Sequence, residues 1–186
     1  MEKLIFVTGN QNKFDTAQSL LGKSGISLEQ AKLDISEIQG SSLEDVASDK
    51  AKKAFAVLKK PLFINDAGWL ITALNGFPGP YMKYINEWFK SEDFINLMRP
   101  YRNREVILRD VIVYIDEHGT KTFIQDVKGT MLDEPQGRGT HPSDRVISLS
   151  DNGLSISEEN DKGVFFIAAE KKVWEEFAEW LGTVRK

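Results

Sequence analysis

The sequence contains no cysteine and only two histidines, His118 and His141, among its 186 residues. The lack of cysteine excludes disulfide scaffolds, cysteine-bound zinc, iron–sulfur clusters and thiol nucleophiles. Two histidines also cannot form a multi-histidine metal site, so any metal must bind through oxygen ligands. No apolar stretch approaches the roughly 18 consecutive residues that a transmembrane helix needs. A net charge of −4 argues against general binding to nucleic acids or anionic membranes.

The remaining composition is that of an ordinary globular protein. Hydrophobic residues make up 41% and charged residues 28% of the chain. The length suits one domain of roughly 100–200 residues, so we expect a single domain over residues 1–186. The segment MEKLIFVTGN turns polar too quickly for a secretory signal, which favours a cytoplasmic protein.

Hydrophobic patterning predicts strands and helices in alternation, followed by a β-hairpin. The predicted strands cover residues 4–8, 27–35, 62–64, 69–74 and 146–149, with a glycine turn between the third and fourth. The predicted helices cover 14–21, 43–58, 81–88, 91–98 and a C-terminal segment marked by Phe166, Ala169, Val173, Phe177, Trp180 and Leu181. The hairpin pairs 104–116 with 121–131. This order predicts an α/β protein with a mixed central sheet flanked by helices.

Two patterns near the C-terminus are assigned to structure and not to chemistry. Trp174, Phe177 and Trp180 recur at helical spacing, which predicts a core-facing surface. The acidic pair at 158–159 is predicted to lie on the solvated surface.

The segment TGNQNK, Thr8 to Lys13, joins the first strand to the first helix through Gly9. Free backbone N–H groups at such a helix start favour an anion, typically phosphate. Asn10 can cap the helix or touch the ligand, and Lys13 opposes the helix dipole unless an anion lies beside it. The alternative is an ordinary capped helix with a solvated lysine.

Lys50 lies in the apolar stripe of its helix, four residues after Val46 and four before Ala54. A lysine in that position must either extend past the helix edge to water or meet a negative partner. The functional interpretation is a lysine directed at phosphate.

Two acids lie where open α/β sheets place reactive groups. Glu37 follows the second predicted strand, and Asp66 ends the segment LFIND beside Gly68. Two such oxygen ligands could hold Mg²⁺ against a polyphosphate, and one could activate water as a general base. The commoner fate of isolated acids is to serve as capping or turn residues.

Two loops carry further candidates. Lys83 follows the rigid Pro/Gly bend of GPYMKY. Arg138, His141 and Asp144 lie in the loop RGTHPSD and could contact a base or ribose by stacking and hydrogen bonding. The alternative for both is an ordinary surface loop.

Taken in order, the segments VTGNQNK, DISEIQG, KAKKA, INDAG and LNGFPGPYMKY resemble the inosine triphosphate pyrophosphatase family, the non-canonical purine NTP pyrophosphatases. The likeness is close over residues 4–85 and looser over the hairpin. It implies an elongated two-lobed α/β domain with a central cleft, usually a homodimer. It also implies hydrolysis of a nucleoside triphosphate to the monophosphate and pyrophosphate with Mg²⁺.

The resemblance assigns a role to each candidate residue by its position in these motifs. The triphosphate would be held by Thr8, Gly9, Asn10, Lys13, Lys50 and Lys83, and the base would be contacted by His141 and Asp144. Glu37 and Asp66 would bind the metal. Asp66 would also be the base for the attacking water, and Lys50 would assist catalysis.

Three departures from the family pattern concern the base and the metal. The aromatic–Gly–aromatic–Asp loop of the family reads His141–Asp144 here, and the Ser-His-Arg triplet has no counterpart in GVFFIAAE, residues 163–170. The Glu-Asp-[Ser/Thr]-Gly turn reads Asn65–Gly68, which removes one carboxylate and one hydroxyl. We therefore expect conserved phosphate chemistry with an altered base site. The alternatives are a relative that binds nucleotide without turnover and a hydrolase specific for another base.

Overall fold

The computed structural model describes residues 3–163 and 171–184. Its strands are β1 (Leu4–Val7), β2 (Leu28–Ala31), β3 (Leu62–Ile71), β4 (Glu105–Asp116), β5 (Gly119–Met131) and β6 (Ile147–Ser148). Its helices are α1 (Gln11–Gly22), α2 (Leu43–Leu58), α3 (Met82–Trp88), α4 (Ser91–Met98), α5 (Ile156–Asp161) and α6 (Lys171–Val184). Within these ranges no helix combines the length and apolarity required to span a lipid bilayer.

The six strands form one sheet in the order β2-β1-β3-β4-β5-β6. Strand β1 pairs in parallel with β2 and β3, whereas β5 and β6 are antiparallel. The predicted α/β class with a mixed sheet flanked by helices is therefore confirmed. Because β2 and β3 both run parallel to β1, α2 is the crossover helix that connects β2 to β3.

The chain divides into two compact units, and each is described by itself. The first unit comprises Met1–Ala67, Asp110–Gln125 and Lys171–Lys186, and the second comprises Gly68–Arg109 and Asp126–Glu170. The core of the first unit is aromatic: Phe63 stacks on Phe6 at 4.4 Å between ring centroids and packs against Phe177 at 5.1 Å. Trp174 is buried in this core and Trp180 is packed against it, as their spacing predicts.

Local patterns place the first-unit helices that carry the candidate residues. Asn10 caps α1 by accepting from the Lys13 amide, and Ser42 caps α2 by accepting from Asp45. In α2 the buried residues are Leu43, Val46, Ala47, Ala51 and Ala54, and they are the buried part of the predicted apolar stripe. Helix α2 therefore begins at the predicted residue, whereas α1 begins at Gln11, directly after its Asn10 cap and before the predicted residue 14. Both helices bury their apolar faces in the core.

Two predictions about strands need correction. The turn expected between residues 64 and 69 does not form, because β3 continues through Asp66 and Gly68 to Ile71. The Asp66 carboxylate accepts a hydrogen bond from the Ala67 amide, so the side chain satisfies a backbone donor without a turn. Strand β2 is also shorter than predicted, ending at Ala31. Phe166 and Ala169, predicted in the C-terminal helix, lie outside the described residues.

The prediction that both acids at 158–159 are solvated is wrong for Glu159, which is 2% exposed. Its Oε1 accepts hydrogen bonds from the Ser150 hydroxyl at 2.6 Å and the Asn152 amide at 2.7 Å. Helix α5, which the pattern did not predict, turns this carboxylate inward. The donors compensate part of the cost of burying a charge, so Glu159 is structural within the second unit.

Candidate active site

The β1–α1 turn lies in the first unit and exposes Gly9 and Asn10. Two of its amides already have partners: the Asn10 amide donates to Thr8 Oγ1 at 3.1 Å, and the Lys13 amide donates to Asn10 Oδ1 at 3.1 Å. A methyl group added at Gly9 would meet no atom within 4 Å, so the space in front of this turn is open. The turn can therefore admit an anion at the positive end of the α1 dipole.

The Lys13 ammonium is directed towards the middle of β3. Its Nζ donates to the backbone oxygen of Asn65 at 3.3 Å and lies 3.9 Å from Asp66 Oδ1. The Lys13 side chain is 34% exposed and that of Asp66 is 24% exposed, so both remain accessible to a ligand. The structure thus places a cation and a carboxylate side by side, from positions 53 residues apart in the sequence.

Asp66 has one committed and one available oxygen. Oδ1 accepts from the Ala67 amide at 3.0 Å, while Oδ2 accepts no hydrogen bond from the part of the chain that the structure describes. An accessible carboxylate oxygen beside an ammonium can accept a proton from water or coordinate a cation. Asp66 is therefore placed for either role predicted for it.

Asp110 is a residue of this cluster that the sequence analysis did not find. It lies on β4, is 6% exposed, and accepts a hydrogen bond from Asn65 Nδ2 at 2.5 Å. Burial raises the pKa of Asp110, while the Asn65 hydrogen bond and the charge of Lys13 act in the opposite direction. The one available signal was an acid in the middle of the predicted strand 104–116, since acids are depleted from strands.

Lys50 and Glu37, which the sequence analysis proposed separately, form an ion pair. Lys50 Nζ lies 2.5 Å from Glu37 Oε1, which resolves the alternatives for Lys50 in favour of a negative partner. Lys53, one turn along α2 from Asp49, donates to the Ser36 carbonyl at 2.8 Å. Two lysines of α2 therefore fasten the segment that carries Glu37. The Glu37 side chain remains 43% exposed.

The remaining predicted residues lie in the second unit. Lys83 is exposed on α3, with its ammonium 5.8 Å from the Tyr84 ring centroid. His141 and Asp144 share one turn, in which the Asp144 amide donates to the His141 carbonyl at 3.1 Å. Burial raises the pKa of Asp144, opposed by the charge of His141 and a hydrogen bond from Ser143.

The loop of His141 and Asp144 is fastened to the two helices before the hairpin. The Ser143 amide donates to Asn86 Oδ1 of α3 at 3.3 Å, and the Ser91 hydroxyl of α4 donates to the Pro142 carbonyl at 3.1 Å. Arg138, by contrast, has a side chain that is 88% exposed and lies 3.5 Å from Asp161. The backbone at Arg138 is nevertheless held by α5, because its amide donates to Asp161 Oδ2 at 2.9 Å, so the loop is fastened in both parts and the Arg138 side chain is exposed.

The oxygen ligands present fit a magnesium ion that is completed by substrate. Within residues 3–163 and 171–184, no three His, Asp or Glu side chains are grouped so that they could hold a metal ion. Mg²⁺ commonly uses one or two protein carboxylates together with waters and substrate phosphates. Asp66, with its available Oδ2, meets this requirement, whereas Glu37 would have to share its carboxylate with Lys50.

Comparison with known proteins extends the argument from the site to the whole chain. The sequence profile of the Ham1 family matches residues 4–162. The chain belongs to the Ham1 family. A dITP/XTP pyrophosphatase of Methanopyrus kandleri is 32% identical over 179 residues, which cover 96% of this chain and 95% of that relative. The inosine triphosphate pyrophosphatase of Saccharomyces cerevisiae is 28% identical over 188 residues, with 96% and 95% covered.

The fold agrees with that of solved Ham1 proteins. The structure of a HAM1 protein from Coxiella burnetii superposes with a TM-score of 0.81, at 18% identity, over 99% of this chain and all of that chain. The family profile over residues 4–162 confirms the family that the sequence motifs resemble. The sequence analysis found no Ser-His-Arg triplet in residues 163–170, and of these, residues 164–170 lie outside the described residues.

Proposed function

We propose that this chain is a nucleoside-triphosphate pyrophosphatase, which hydrolyses a triphosphate to the monophosphate and pyrophosphate. The observation that carries the proposal is the pairing of Lys13 with Asp66 at the open start of α1. Similarity to pyrophosphatases along 96% of the chain supports the same reaction. The relatives' names further support dITP or XTP, nucleotides with a deaminated purine, as the substrate class.

The reaction begins with the triphosphate bound at the β1–α1 turn. Its negative oxygens lie against the helix N-terminus and the Lys13 ammonium, which compensate the charge. Lys50 and Lys83 are proposed to contribute further positive charge to the phosphates. Since positioning and charge stabilisation account for most of phosphoryl-transfer catalysis, these groups need no covalent role.

The hydrolytic step forms one bond and breaks one bond. A water oxygen attacks the α-phosphorus, the bond from that phosphorus to the bridging oxygen breaks, and pyrophosphate leaves with the bonding pair. Asp66 accepts the proton of the water as the general base. Mg²⁺, held by Asp66 and Glu37 when bound, would neutralise charge on the phosphates.

The base is proposed to be contacted by His141 and Asp144. Their loop is fastened to α3 and α4, so it can present an imidazole ring and a carboxylate at fixed positions. A carboxylate accepts hydrogen bonds and an imidazole can stack or donate, so this pair suits a deaminated purine with N–H donors. A homodimer remains a prediction from the resemblance, and a cytoplasmic location remains a prediction from the sequence.

The experiment that tests the proposal measures pyrophosphate release from dITP, XTP, ITP and the canonical triphosphates, with and without Mg²⁺. We expect turnover with at least one triphosphate of a deaminated purine. We also expect loss of turnover in Asp66→Asn, which keeps the shape of the side chain and removes its basicity. The matched control is Asp15→Asn, an exposed carboxylate on α1. Nucleotide binding without pyrophosphate release for every base would overturn the proposal.

A further inference from the structure

The cluster around Asp66 contains one buried carboxylate to which the proposed reaction gives no task. Asp110 is 6% exposed and directly precedes the buried β4 residues Val111 to Ile115. Burying a carboxylate inside a strand is costly unless it is hydrogen-bonded. Its hydrogen bonds therefore indicate what this residue does.

The hydrogen bonds lead from Asp110 to Lys13 through a single residue. Asn65 Nδ2 donates to Asp110 Oδ1 at 2.5 Å and to the Val111 carbonyl at 3.3 Å, so both the side chain and the backbone of β4 hold this amide. The backbone oxygen of the same Asn65 accepts from Lys13 Nζ at 3.3 Å. Fixing the Asn65 side chain to β4 therefore fixes the carbonyl that holds the lysine.

Asn65 directly precedes Asp66 in β3, so the carbonyl that holds the Lys13 ammonium lies next to this carboxylate in the chain. Lys13 and Asp66 are separated by 3.9 Å, longer than a direct hydrogen bond, so the pair does not determine its own geometry. Contacts from outside the pair must set it.

We propose that Asp110 is a positioning residue, which holds Asn65 and through Asn65 sets the Lys13 ammonium beside Asp66 for the reaction. This inference rests on the proposed function. A displacement of about 1 Å at a catalytic group can cost on the order of 10²-fold in rate. Asp110→Ala, which removes the acceptor of Asn65 Nδ2, should therefore lower kcat by about 10- to 100-fold with a smaller change in KM.

A double-mutant cycle with Lys13→Met separates positioning from a general structural role. If Asp110 acts through Lys13, Asp110→Ala costs less than about threefold once Lys13 is already methionine, because the two effects share one cause. The conservative Asp110→Asn keeps an oxygen that accepts from Asn65 and should retain activity within about threefold of the wild type. Asp116→Ala on the same strand is the matched control, since its carboxylate accepts from Tyr114 and His118 and not from Asn65.

The cycle has outcomes that overturn the inference while the proposed function stands. The inference fails if Asp110→Ala is as active as the wild type, if it costs the same factor in both backgrounds, or if Asp110→Asn loses as much as Asp110→Ala. Should Asp110→Ala fail to fold, Asn65→Ala removes the same hydrogen bond from its other side and enters the same cycle. The proposed function itself fails only if the wild type releases no pyrophosphate from any triphosphate.

Discussion

Replacing Lys13 by methionine separates a catalytic contribution from a stabilising one. Lys13→Met keeps the length and the apolar stem of the side chain and removes only the ammonium. In the folded protein that ammonium contacts one backbone carbonyl and lies 3.9 Å from a carboxylate, on a side chain that is 34% exposed. The consequences for stability and for catalysis differ in size.

The effect on stability is small because two terms oppose each other. A partly exposed ion pair contributes at most about 1 kcal/mol to the free energy of unfolding. Removing a cation from the first turn of α1 relieves an unfavourable interaction with the helix dipole of about 0.3–1 kcal/mol. The net change is therefore within about 1 kcal/mol, which for this chain length shifts Tm by less than about 4 °C.

The effect on catalysis is large because we propose that this ammonium binds the phosphates. Removing one preorganised contact to developing charge typically lowers kcat by about 10²–10³-fold, or about 2.7–4 kcal/mol of transition-state stabilisation. The assay is pyrophosphate release under saturating triphosphate, with Tm measured on the same preparations. Lys23→Met, an exposed lysine at the other end of α1, is the control that should keep wild-type activity. A Lys13→Met protein that loses less than about tenfold in kcat, or that unfolds more than about 10 °C lower, would refute this reasoning.

Two further predictions concern Lys50 and Asp144. Lys50→Met should lower kcat/KM by at least about tenfold, because it removes the partner of Glu37 and a charge that we propose acts on the phosphates. Lys52→Met on the exposed face of α2 should not have this effect. Equal losses in both variants would count against the assignment of Lys50. Burial raises the pKa of Asp144, so the folded chain keeps this proton at a pH where the unfolded chain has released it. Stability is thus lost as pH rises from about 3.9 through the folded-state pKa, and Asp144→Asn should raise Tm more at pH 7 than at pH 3.5. Thermal unfolding at the two pH values measures this, and an equal Tm difference would contradict it.

Local sequence signals predicted the parts of the site that depend on local geometry. The Asn10 cap and the position of Lys13 follow from a strand, a glycine and a helix start within a few residues. The inward position of Lys50 follows from the periodicity of α2, although its partner Glu37 could not be derived from that pattern. The motif order then identified the family.

Contacts between distant segments were not predictable in the same way. Asp110 meets Asn65 across 45 residues of sequence, and an isolated acid in a strand does not indicate which neighbour it will face. Glu159 was misjudged because Ser150 and Asn152, which compensate its burial, lie in a preceding turn with no apolar pattern. The turn expected at Gly68 was wrong because a glycine in a strand and a glycine in a turn look alike without the pairing partners.

The measurement that tests the central claim most directly is hydrolysis of a deaminated purine triphosphate, such as dITP, in water enriched in ¹⁸O, with the products separated by mass. Attack of water on the α-phosphorus places the label in the nucleoside monophosphate and leaves the pyrophosphate unlabelled. Label in pyrophosphate, or release of labelled orthophosphate, would show that water attacks another phosphorus and would contradict the account.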